Sequence, residues 1–143
     1  MDNRHLTFSH LLYLTAHHWR LAVNRRLKNL GLSQASWVAV ASIARHQQPL
    51  SQSELAQELG VESPTIVPLI HRLVALGLVE RITTASDKRK RLLVVTDKGK
   101  ALYEQVKTVA DDLREEILTA ITPQEQEQTQ RVLEKLLREV EKK

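Results

Sequence analysis

The residue types most suited to chemistry in this 143-residue chain concentrate in one hexapeptide, Ser86-Asp87-Lys88-Arg89-Lys90-Arg91. Four consecutive cations repel one another, and a polyanion such as a phosphate backbone relieves that repulsion. An arginine at the tip of a projecting loop also suits a narrow minor groove, where the negative potential is deepest. Asp87 is the one anion in the run. It is expected to hold a neighbouring arginine in place through a charge-assisted hydrogen bond. The plain alternative is a solvated charged loop.

A second constellation lies upstream. Residues 51–76 place two helices around Leu59-Gly60-Val61, the glycine-containing turn of a helix-turn-helix. Ser51 and Glu54 form a capping box for the first helix, and Ser51 and Gln52 at its start count as DNA contacts. Ser63 followed by Pro64 predicts a cap and a first helical residue for the second. In such a motif the N-terminal end of the second helix leads into the major groove. Ser63 and Thr65 hydroxyls, with the free amides of the first turn, suit phosphates. Thr65, Pro68 and His71 are placed to face base edges, with Arg72 beside them. Ile66, Ile70 and Leu73 should form the buried stripe, with Val67 and Val74 as candidates to join it. A helical hairpin that never meets DNA is the alternative, and the basic loop between two strands weighs against it.

Other reactive types are sparse. The chain has no cysteine, which excludes disulfides and thiolate metal sites. His10, His17 and His18 share one helix without an accompanying carboxylate, so no metal site is expected. His17, Arg20 and Trp37 are candidates for a pocket that takes a small aromatic carboxylate. The alternative puts Trp37 in the core and Arg20 at the surface. There is no nucleophile elbow, zinc-protease helix, phosphate-binding glycine loop or dinucleotide fingerprint, so neither an enzyme nor a cofactor is expected.

These groups need elements to hold them. Residues 6–29 contain no glycine or proline and read as a long helix, with Leu11, Leu14, His18, Leu21 and Arg25 on one stripe and Gly31 after its end. Ser33 caps a second helix to about His46, with Trp37, Val40, Ala41 and Ala44 on one face. After the helix-turn-helix, Leu78–Ile82 and Leu92–Thr96 read as strands of a hairpin around the basic loop. Thr96 caps a helix to about Ala120, and Thr122-Pro123 with Glu125 starts a last one. Val132, Leu133, Leu136, Leu137 and Val140 recur on its face, as do Leu102, Val106, Val109 and Leu113 on the preceding helix. The fold class is therefore mainly α with a small β-hairpin wing, a winged helix-turn-helix with long terminal helices. Residues 33–96 form the winged part, and residues 1–32 and 97–143 carry the long helices, whose apolar faces suit dimerisation or, alternatively, packing within one chain.

Composition agrees. Hydrophobic residues make up 42% of the chain, too many for a disordered segment, and no apolar run is long enough to span a membrane. No signal peptide is expected, and a cytoplasmic setting is the simplest. The net charge of +4 hides a segregation. Residues 63–100 carry eight Lys/Arg against three Asp/Glu, whereas residues 101–143 carry seven against ten. A basic centre and an acidic end suit two different partners.

With these segments in view, the chain resembles the MarR (multiple antibiotic resistance regulator) family, nearest to its SlyA-like branch. The resemblance rests on Leu50-Ser51-Gln52-Ser53-Glu54-Leu55-Ala56, Ser63-Pro64-Thr65-Ile66-Val67, Leu76-Gly77-Leu78-Val79-Glu80-Arg81, the basic hexapeptide, and Leu93-Val94-Val95-Thr96-Asp97-Lys98-Gly99. It implies a homodimer whose first and last two helices interlock, and double-stranded DNA with a pseudo-palindromic operator as the partner. It also implies a repressor released by a small anionic or phenolic ligand. Asp87 matches the wing aspartate, Arg89 the wing arginine, and Pro64 and Thr65 the start of the recognition helix. Pro68 departs from the pattern, standing where SlyA-like relatives often carry an arginine that reads bases. Base readout is therefore expected to be less directed at guanine. Two other readings remain at this point: a winged module that binds another protein, and a small-molecule-binding protein without DNA linkage.

Overall fold

The computed structural model describes residues 5–83, 85–86 and 91–143. In chain order it contains α1 (Phe8–Arg26), a short 3-10 turn (Lys28–Leu30), α2 (Gln34–Arg45), β1 (Leu50–Ser51), α3 (Gln52–Leu59), α4 (Ser63–Ala75), β2 (Val79–Thr83), β3 (Arg91–Val95), α5 (Asp97–Leu118) and α6 (Pro123–Glu141). The chain divides into two compact units, Met1–Val109 and Ala110–Lys143, with the division inside α5. The fold is mainly helical with a small antiparallel sheet, as the sequence predicts.

Local chemistry sets most boundaries. Thr7 caps α1 by accepting from the His10 amide at 3.2 Å, and Ser33 caps α2 by accepting from the Ser36 amide at 3.2 Å. Ser51 and Glu54 form the expected capping box at α3, each accepting from the other's backbone amide. Such caps stabilise a helix start by about 1 kcal/mol. The turn at the end of α3 uses Gly60 at φ 69, and the amides of Gly60 and Val61 return to Gln57 O and Ala56 O. That pair of bonds satisfies carbonyls the helix would leave free, and the left-handed φ favours glycine.

The first unit has its own core. Leu55, Ile66, Ile70, Leu73, Val40 and Leu93 are almost completely buried. Burying each such side chain stabilises the unit by roughly 1.5–3 kcal/mol. Helix α2 is hidden on nearly every side, Ser36 and Ser42 included. The expected two-stranded hairpin is in fact a three-stranded sheet of order β1-β3-β2. Leu50 pairs with Leu93 and Ser51 with Leu92, an addition too short to leave a sequence pattern. Strands β2 and β3 run from the Val79–Val95 pair to the Thr83–Arg91 pair, one residue displaced from the predicted spans.

Helix α1 corrects a prediction. Its buried residue is Val23, followed by Leu27 at its end, while Leu11, His18 and Arg25 of the expected stripe are exposed. Which side of this helix is covered depends on α2, to which Asn24 Oδ1 is tied by the Trp37 Nε1–H at 2.9 Å.

In the second unit, Thr122 and Glu125 make another capping box with Pro123 at the helix start. Helix α6 has no buried residue; Val132, Leu133, Leu137 and Val140 are exposed and Leu136 is half-buried.

Candidate nucleic-acid interface

Helix α4 presents two opposite chemistries. Ile66, Ile70 and Leu73 fill the core at helical spacing, as predicted, and seat the helix firmly. Ser63, Pro64, Thr65, Pro68, His71 and Arg72 are all exposed. Val67, a candidate for the buried stripe, is 39% exposed, and Val74 is half-buried. Leu69 is also half-buried. No acidic residue lies within α4 itself, and one, the exposed Glu62, stands at its cap.

The start of α4 also differs from expectation. Glu62 stands at the cap, without a side-chain capping bond, and Ser63 is the first helical residue. Proline is tolerated across the first turn because the amides there have no partner inside the helix, so the Ser-Pro pair does not by itself fix the register. The Thr65 amide donates to Glu62 O at 3.0 Å, and Pro64 has no N–H. The first turn thus offers fewer free amides to a phosphate than the sequence promised, and the Ser63 and Thr65 hydroxyls lie there beside the exposed Glu62.

The far end of α4 is anchored by the first turn of α5. Thr96 Oγ1–H donates to Gly77 O at 2.6 Å, the Thr96 amide to Leu78 O at 3.1 Å, and Lys98 Nζ to Leu76 O at 2.9 Å. A cation and two donors there satisfy carbonyls at and just beyond the negative end of the helix. Thr96 Oγ1 also accepts from the Gly99 amide at 3.0 Å, which makes it the cap predicted for α5. A side chain at Gly99 would stand 2.2 Å from Leu78 O, so the approach of the two segments requires glycine. Sequence reasoning found the cap but not this anchoring role.

Beside α4 lie the strands of the hairpin. Arg91 is exposed at the end of β3 nearest the basic loop, paired with Thr83. Asp87, Lys88, Arg89 and Lys90 lie outside the described residues. Arg81 on β2 has a buried Nε with no hydrogen-bond partner among the described residues. Sequence reasoning did not single it out, since an arginine within a strand leaves no distinguishing pattern. Ser51 and Gln52 are half-buried at the start of α3, and the Ser51 hydroxyl accepts the capping bond from Glu54. The C-terminal end of α2 meets α3 through His46 Nε2 and Glu58 Oε2 at 2.6 Å.

Of the three ligand-pocket candidates, the structure unites two. The Arg20 guanidinium lies over the Trp37 ring, 5.7 Å from its centroid. Trp37 is buried at 6% exposure, while His17 stacks on Tyr13 with ring centroids 5.5 Å apart. Arg20 also lines a cleft of about 470 Å³ with Gln34, Ala35, Val38, Thr65 and Leu69. The cleft therefore touches the start of α4. Among the described residues, no group of three or more His, Cys, Asp or Glu is placed to hold a metal ion, and no helix is long and apolar enough to cross a membrane.

This arrangement, a seated helix after a glycine turn beside a three-stranded wing, defines a winged helix-turn-helix protein. Residues 30–90 match the model of the MarR family. The solved structure of the transcriptional regulator PA3341 is 39% identical over 96% of this chain and 100% of that one, with a TM-score of 0.89. Wild-type MarR from E. coli in its apo form is 27% identical over 92% of this chain and 98% of that one, with a TM-score of 0.79. MepR from S. aureus, solved in complex with DNA, shares the fold at a TM-score of 0.81, with 24% identity over 94% of this chain and 98% of that one. The chain belongs to the MarR family.

Proposed function

We propose that the protein is a DNA-binding transcriptional regulator of the SlyA-like type, a homodimer that binds a pseudo-palindromic operator and represses until a small anionic or phenolic ligand releases it. The observation that carries this reading is α4, with Ile66, Ile70 and Leu73 buried beneath an outward face free of acidic residues. One α4 enters the major groove of each half-site, with half-site centres about 10 base pairs apart. Ser63, Pro64, Thr65, Pro68, His71 and Arg72 lie against the groove, and Ser51 and Gln52 against the adjoining backbone. Lys88, Arg89, Lys90 and Arg91 contact phosphates and the flanking minor groove, with Asp87 supporting them. Residues 33–96 make up the DNA-binding part, and residues 1–32 and 97–143 the dimerisation part. The exposed apolar stripe of α6 supports self-association, because such a stripe needs a cover.

The ligand is a small aromatic anion held by Arg20, with Trp37 beneath the guanidinium and His17, stacked on Tyr13, one turn earlier on α1. Arg20 supports this reading by lining a cleft that reaches Thr65, so that an occupant there would bear on the recognition helix. The experiment is selection of duplexes from a random-sequence pool at two salt concentrations. An enriched palindrome whose affinity falls steeply with salt is expected. Retention of no duplex at low salt would overturn the reading in favour of a protein partner for the winged domain.

A further inference from the structure

The outward side of α4 is poor in the groups that usually read bases. Pro64, Val67, Pro68 and His71 stand at i, i+3, i+4 and i+7 and so share one stripe. All four are exposed. The first three carry no side-chain donor or acceptor, and the two prolines have no amide hydrogen to offer. Polar groups lie at the margins: Ser63 on one side, Thr65 and Arg72 on the other, and His71 at the end of the stripe. Ile66 and Ile70, buried almost completely, hold the opposite side in the core, so the helix cannot rotate this stripe away from a ligand.

In the major groove the thymine C5 methyl is the base group suited to apolar contact. Guanine O6 and N7 and the cytosine amino group would lose water against the prolines and valine without gaining a partner. The absence of acidic residues on α4 and the basic segment after it favour DNA over an apolar protein partner.

We propose that α4 selects its half-site through thymine methyl groups, with Val67 and Pro68 as the specificity-determining contacts and His71 bonding a purine edge beside them. This rests on the reading of α4 as the recognition helix.

The probe is the duplex recovered by the random-pool selection, with each half-site thymine replaced in turn by deoxyuridine. That change removes one methyl and keeps the base pair. Affinity is expected to fall about fourfold for each contacted methyl removed. Deoxyuridine outside the half-sites is expected to leave it unchanged. Val67→Ala and Pro68→Ala should each bind the thymine duplex more weakly and lose discrimination at one position. Both residues are exposed, and thermal unfolding by circular dichroism checks that the fold is kept. Equal affinity for thymine and deoxyuridine duplexes, an equal loss from flanking substitutions, or a half-site read through guanine would each overturn the proposal while leaving DNA binding intact. If no duplex is retained at low salt, the recognition-helix reading fails and takes this inference with it.

Discussion

Helices α4 and α6 are both amphipathic, and each belongs to a unit that contains a complete capping box. In the unit Met1–Val109 the box is Ser51 with Glu54; in the unit Ala110–Lys143 it is Thr122 with Glu125. Yet Ile66, Ile70 and Leu73 of α4 are hidden, whereas Val132, Leu133, Leu137 and Val140 of α6 face solvent. On α6 the polar residues are tied along the helix itself, Arg131 to Glu127 and Lys142 to Glu139. Such exposed pairs add only a few tenths of a kcal/mol. The same local rules produce both helices, and only one finds its apolar partners within the described chain. A helix can therefore be fully specified by its own sequence and still need a second surface.

The comparison can be broken most directly at the core. Leu73→Ala should destabilise the protein by about 2–5 kcal/mol, read from urea unfolding followed by circular dichroism. A loss under 1 kcal/mol would mean that the helix is not seated as described. On α6 the expected effect lies in association rather than in the fold of one chain. Leu137→Glu should weaken self-association by about 1.5–3 kcal/mol, seen in sedimentation equilibrium, with helical content retained at high protein concentration. Unchanged association would show that this stripe is not the dimer surface. The smallest test sharpens what the two units share. Ser51→Ala and Thr122→Ala should each cost about 1 kcal/mol. Hydrogen exchange should place the first loss in α3 and the second in α6, and a loss common to both helices would mean that the units unfold together.

The parts of the fold that were legible in advance are those decided within a few residues. Ser33, Ser51, Thr96 and Thr122 as caps, Gly60 after its helix, and the Ile66–Ile70–Leu73 stripe follow from hydrogen bonding and periodicity at short range. The outward set on α4 was legible by subtraction from that stripe, except for Val67. The cap of α4 was misplaced by one residue because proline fits more than one position of a first helical turn.

Other features depend on segments distant in the chain. Strand β1 exists because Leu50 and Ser51 meet β3, since two residues have no strand tendency of their own. The covered side of α1 depends on α2, and His17 found Tyr13 rather than Trp37. Thr96, Lys98 and Gly99 anchor α4 only because the end of that helix and the start of α5 come together. Helix identity, caps and turns were thus set by local hydrogen bonding and backbone freedom along the chain. Packing decided which faces are buried, which carbonyls find distant donors and where glycine is obligatory, because those outcomes depend on the distance between segments that sequence order does not bring together.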